Sequence, residues 1–280
     1  MEAKRVLGVP GRSNLSLCLT LFWILASPII IIGFALPERG GFNENLLQEV
    51  SRVNLSVQDG RPVAKTISLL EAKYGWIITY EDPRYSYADD VEDVTEKVRR
   101  DLNKYPKGAA PRVLVPKEGT LSFDYNVMSQ TSVSPDPVAI VRQLLAAQAA
   151  SANAGKFRME KGDNIIHVIP TAIKDKSGRL TPQKSVLDIV VTLLAKERTG
   201  LETLQTLCAA ISTAAHVRVV VGIVPIGLFL QHKDQYGTAG RKAREVLVQL
   251  FERVGKGMRL SWQLFYDPGL KMYALNIHVV

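Results

Sequence analysis

The chain is poor in the side chains that carry catalysis. Its 280 residues include two cysteines and four histidines. Cys18 lies in an apolar N-terminal stretch and Cys208 in an apolar helical stripe, so they do not read as a disulfide pair, and no Cys or His spacing matches a metal site. His167, His216, His232 and His278 have neither a second histidine nor a carboxylate at ligand spacing and read as structural or solvent-facing. Asp89, Asp90, Glu92 and Asp93 lack the spacing of a calcium loop and read as a solvated charge run. There is no Gly-x-Ser-x-Gly, phosphate loop or dinucleotide fingerprint. The expectation is therefore no catalytic residue, no metal and no cofactor. Formal net charge is +8, but no helix concentrates it and no aromatic-plus-basic stacking motif accompanies it, which disfavours nucleic acid as a partner. With 46% apolar and 22% charged residues, the composition is that of a globular protein.

The N-terminus is the first positive signal. Lys4, Arg5 and Arg12 precede an uncharged run from Ser13 to Leu36. A basic flank followed by an apolar run is an export signal with its basic end toward the cytoplasm. Gly33-Phe34-Ala35 offers small residues at a cleavage spacing, while the run is also about long enough to span a bilayer. Residues 1–36 thus read as a signal peptide or an N-terminal membrane anchor. Either places the rest outside the cytoplasm, in the periplasm or beyond, with membrane contact only through this segment. Residues 37–50 read as a linker.

The remainder is organised by periodicity. Val246, Leu247, Leu250, Phe251 and Val254 form one helical stripe within 241–254. The period then becomes two over 258–266 and 271–279, an antiparallel hairpin turning at Asp267-Pro268-Gly269. A similar unit occurs upstream: Asp136-Pro137 opens a helix, and 156–160 and 164–169 form a hairpin at Gly162-Asp163. Val53–Val57 and 120–125 alternate as strands, Val63, Ile67, Leu70 and Tyr74 make a helical face ended by Gly75, and 76–80 is rich in β formers. In the second half, 185–194 reads as a strand, Thr199-Gly200-Leu201-Glu202 as a capping box, 217–224 as a strand, 228–232 as another, and 236–240 as a turn.

In element order the halves agree: strand, helix, strand, strand, helix, hairpin. The expected fold is α+β with two small modules, residues 51–170 and 185–280, joined by a polar linker at 171–184. The first carries an excursion at 81–119. This order, in an exported chain, resembles the short N-terminal domain of secretins and TonB-dependent receptors, in which two helices pack on small sheets. Arg61–Tyr80, and Val186–Val224 with Arg241–Val280, carry the resemblance. It implies tandem copies of that domain and transfers no functional residue. The chain has neither a secretin ring domain nor an outer-membrane barrel, and the excursion has no place in the family pattern.

The reading that follows is an interaction module with a protein partner in the cell envelope, bound through an exposed sheet edge. The excursion adds Tyr80, Arg84, Tyr85 and Tyr87 as an interaction surface, since tyrosine and arginine anchor interfaces. Two rival readings are a small-ligand protein or enzyme with a site between the modules, and a membrane-tethered spacer.

Overall fold

The computed structural model describes residues 50–106, 108–128, 134–231 and 233–280. The N-terminal segment, almost all of the linker at 37–50, and His232 lie outside the described residues. The described residues form one compact α+β unit.

In chain order the first half holds β1 (Val50–Asp59), α1 (Pro62–Tyr74), β2 (Ile78–Glu81), β3 (Val91–Asp93), α2 (Thr95–Val98), β4 (Leu114–Pro116), β5 (Gly119–Met128), α3 (Pro137–Ala150), β6 (Lys156–Lys161), β7 (Ile166–Lys174) and β8 (Leu180–Pro182). The second holds β9 (Val190–Thr199), α4 (Gly200–Ala215), β10 (Arg218–Val221), α5 (Ile226–Leu230), β11 (Lys233–Lys242), α6 (Ala243–Gly255), β12 (Leu260–Asp267) and β13 (Met272–Val279).

Local chemistry sets the helix ends. Asp136 caps α3 by accepting from the Val138 amide. At α4 the Thr199 hydroxyl accepts from the Glu202 amide while Glu202 accepts from the Thr199 amide, a complete capping box. Asp59 accepts from the Arg61 amide, 2.7 Å, and stops the chain just before α1. Gly75 and His216 end α1 and α4 in the left-handed conformation.

Strand pairing follows one scheme in both halves. β1 pairs antiparallel with β5, and β9 with β11. β2 runs parallel to β7 and β10 to β13, while β6–β7 and β12–β13 are antiparallel hairpins. The two three-stranded sets then join, because β12 pairs parallel with β2 through Gln263 opposite Tyr80 and Leu264 opposite Glu81. The result is one sheet in the order β10-β13-β12-β2-β7-β6, with β8 paired to the far part of β7.

Partners across a sheet share a face. Leu264 belongs to the apolar core beneath α4 and α6, whereas its neighbour Glu81 is polar. Tyr80 belongs to the core beneath α1 and α3, whereas its neighbour Gln263 is polar. The two cores therefore lie on opposite faces of the sheet. One is built around Val63, Ile67, Leu70, Val141 and Leu144, the other around Leu204, Leu207, Leu247, Leu250 and Trp262.

Several sequence expectations are corrected. Residues 171–184 are not a free linker: they carry the end of β7 and all of β8, which pair through Ala172–Pro182 to Lys174–Leu180. Residues 185–194 are not one strand: Ser185 caps a 3-10 turn at Val186–Asp188 before β9 begins. Residues 226–230 are the short helix α5, which buries Phe229 completely, rather than a strand. Residues 236–240 lie inside β11. Their glycines serve an irregular register against β9; a Cβ on Gly237 would stand 2.6 Å from the Ala195 Cα.

Candidate functional site

The seam between the halves is polar, and its centre is the end of β2. Glu81 and Asp82 are both almost completely buried. Burying two adjacent carboxylates requires dense compensation. Asp82 accepts four hydrogen bonds: from Arg61 Nε at 2.6 Å, Tyr80 Oη at 2.9 Å, Tyr85 Oη at 3.2 Å and the Tyr266 amide at 2.9 Å. Arg61 also donates to the Tyr266 carbonyl, 2.8 Å, and lies over the Phe265 ring. Glu81 pairs with the buried Arg244 and accepts from Ser185 Oγ. Arg244 reaches Asp188 as well, 3.1 Å, and Asp188 meets Arg158 at 3.0 Å.

Burial raises the pKa of both carboxyls, and the arginine opposite each acts against that rise. Burial also works against the charge on Arg61, but Asp82 with Tyr85 and Tyr80 holds its pKa above the ordinary value. The hydroxyls of Tyr80 and Tyr85 are raised by burial and then by Asp82.

This assigns the four residues expected to form an interaction surface. Tyr80 is not on the surface: it is buried in the first-half core with its hydroxyl on Asp82. Tyr85 is half-buried and donates to the same carboxylate. Arg84 donates its amide to Gln183, 2.9 Å, which fastens the excursion to the segment after β8. The Tyr87 hydroxyl donates to Asp89, 2.6 Å, and its ring covers Gly178, where a Cβ would meet it at 3.2 Å. Together these residues tie the excursion to its own body, because the buried Asp82 needs donors and the tyrosines supply them. The excursion is also not structureless: β3 and β4 pair antiparallel within it.

The His167 ring packs tilted against Trp262, 5.3 Å between centroids, and bonds Thr79 Oγ1 at 2.7 Å; burial, with Arg244 nearby, pulls its pKa down to about 3. His278 Nε2 stands 2.9 Å from Glu71 Oε2, a link between β13 and α1 that sequence spacing does not reveal. Burial pushes the Cys208 thiol up to about 12, which makes it an inert core residue. In the acidic run, Asp90 pairs with Lys174 at 2.8 Å and Glu92 with Lys97 at 2.6 Å. Among the described residues no three metal-ligating side chains converge, and no helix is long and apolar enough to cross a membrane.

Two of the openings beside the seam are lined by its charged residues. One, of about 370 Å³, lies beneath the excursion and is lined by Arg61, Tyr87, Asp90 and Lys174. The other, of about 780 Å³, lies between the β6–β7 turn and α6, with His167, Arg244 and Trp262 in its wall. The charged groups reaching these openings from the seam are already paired with one another.

Beyond the seam, one open feature of this half is the β6 edge; β1 and β5, which pair only with each other among the described residues, each have an open side as well. Among the described residues no strand pairs with the outer side of β6. Phe157 stands opposite Pro170, which has no N–H, so this is a non-hydrogen-bonded pair. By alternation Phe157, Met159 and Lys161 turn their N–H and C=O groups outward. The excursion abuts this edge: a Cβ on Gly155 would meet Pro83 at 2.7 Å. Compared with known protein families, curated proteins and solved structures, the chain matches none.

Proposed function

We propose that the chain is a non-enzymatic interaction module held outside the cytoplasm, built of two copies of a unit like the short N-terminal domain of secretins and TonB-dependent receptors. Its partner is a protein of the cell envelope, which adds an extended segment to β6. The observation that carries this reading is the unpaired outer side of β6, whose three outward residues offer backbone donors and acceptors. The excursion beside it frames the groove that the added strand enters. Support for two copies comes from the pairing scheme common to both halves, and support for export from the basic flank and the apolar run at Ser13–Leu36.

The test is capture from a cell-envelope extract by the full chain and by its Met159→Pro variant. That substitution removes one outward N–H and leaves the β6–β7 ladder intact. A captured protein lost with the variant is the expected result. Equal capture by both, with the variant folded, overturns the β6 assignment.

A further inference from the structure

The internal seam is also a template for an external one. The left-handed helix ends Gly75 and His216 align α1-β2 with α4-β10, so Tyr80 corresponds to Val221 and Asp82 to Ile223. Strand partners align the hairpins in the same way. Val168 lies between Tyr80 and Met159, and Leu275 lies between Val221 and Leu264, so Met159 corresponds to Leu264 and Arg158 to Gln263. Inside the molecule the β12-type edge of one half meets the β2-type edge of the other. That leaves a β12-type edge, β6, free at one end of the sheet and a β2-type edge, β10, free at the other.

We infer that β6 and β10 are complementary, and that a second copy of the chain adds its β10 in parallel to β6 in the register of the β12–β2 seam. Arg158 then stands opposite Val221 of the second copy and Met159 opposite Gly222, as Gln263 stands opposite Tyr80 and Leu264 opposite Glu81. The Ile223 amide of the second copy donates to the Met159 carbonyl, as the Asp82 amide donates to the Leu264 carbonyl at 2.8 Å. This rests on the reading of β6 as a recognition edge and names a partner for it.

Three observations make β10 a matching surface. Its backbone is prepared like that of β2: Ser212 Oγ accepts from the Val219 amide at 2.8 Å, and Glu71 Oε1 accepts from the Ile78 amide at 3.1 Å, each from a residue seven positions earlier on the preceding helix. Gly222 donates inward to Leu275, so Val221 directs its own N–H and C=O away from β13. Ile223 is 78% exposed on this edge, an aliphatic side chain with no cover among the described residues. In the single molecule residue 223 is turned toward β13: its amide is held by Asn276 Oδ1, 2.8 Å, and its carbonyl accepts from the Ile277 amide, 2.7 Å. Joining turns the Gly222–Ile223 peptide outward and exchanges that side-chain bond for a backbone one, leaving Asn276 Oδ1 to solvent.

Helix placement also fits. The two helix layers of one molecule lie on opposite faces, so a β10 added to β6 brings its α4 to the face opposite α1 and α3, beside the place where Asp188 holds Arg158. Because the two surfaces differ, the contact is heterologous and does not close on itself. It extends as a head-to-tail row. Any one molecule uses its β6 either for a second copy or for an envelope protein.

Two measurements on the full chain test this. Chains carrying Arg158→Cys are mixed with chains carrying Val221→Cys and oxidised; neighbouring parallel strands bring the paired Cα atoms within disulfide range. The expected product is a mixed disulfide dimer, absent when Asn54→Cys on the outer face of β1 replaces Arg158→Cys. In sedimentation, the wild-type mass rises with concentration, whereas Val221→Pro, which removes an outward N–H and none that bonds β13, stays at the monomer mass with an unchanged circular dichroism spectrum. A wild-type chain that remains monomeric and gives no mixed dimer above the Asn54→Cys background overturns the inference. If envelope capture through β6 persists in that case, self-pairing alone has failed. If neither is seen, the recognition edge itself was misassigned.

Discussion

His167 is buried without charge, its pKa pulled down to about 3 by burial and by Arg244, against an ordinary 6.5. The unfolded chain therefore binds a proton below pH 6.5 that the folded chain refuses until about pH 3. Stability linked to this group is complete above pH 6.5 and is lost as the pH falls toward 3. Between pH 7 and pH 5 the loss is about 2 kcal/mol. Chemical denaturation at the two pH values should show this fall in the wild type and not in His167→Gln; an equal fall in both would sink the assignment. Arg244 makes a second prediction. Arg244→Ala leaves Glu81 buried without its cation and should cost roughly 3–5 kcal/mol, while Arg244→Met with Glu81→Gln should recover most of it. A double variant no more stable than the single one contradicts the pairing. Residues with local partners were legible in the sequence. Thr199 and Glu202 lie within one helical turn, and their capping box was read from spacing alone. The seam was not legible, because Glu81, Asp188 and Arg244 meet only through the fold. The tyrosines misled for a related reason: Tyr80 and Tyr85 looked like surface anchors because nothing local announces that Asp82 is buried.

At the scale of elements, helices with one strong stripe and a clear cap were readable. For α6 the predicted stripe Val246, Leu247, Leu250, Phe251 and Val254 is buried throughout. The misread elements were those whose glycines or polar residues have a tertiary use. In β11, Gly237 permits close approach of the β9 backbone rather than a turn. Gly237→Ala should therefore destabilise by about 1–3 kcal/mol through overpacking, whereas Ala at the open Gly227 of α5, where no atom lies within reach of an added Cβ, should be neutral or slightly stabilising. Comparable melting temperatures for Gly237→Ala and Gly227→Ala would count against the close β9–β11 approach. Between β7 and β8, Lys174, Asp175, Lys176 and Ser177 read as a linker because this turn carries no apolar side chain, and β8 is only three residues long. Pairing with β7, not burial, defines that strand.

For the whole molecule, the α+β class followed from periodicity alone, whereas β8, α5 and the extent of β11 did not. The merger of both halves into one sheet did not, since the β12–β2 pairing rests on two residues of each strand and a buried ion network. That merger leaves β6 as an open edge beside the excursion, and β6 is the basis of the proposed function. The most direct measurement places a photoreactive amino acid at the exposed Lys161 of β6, and in a parallel strain at Asn54 on the outer face of β1, in cells that express the full chain. Illumination should yield an adduct with an envelope protein from position 161 and none from position 54. Identical adducts at both positions, or none at either with the protein exported and folded, would contradict recognition through the β6 edge.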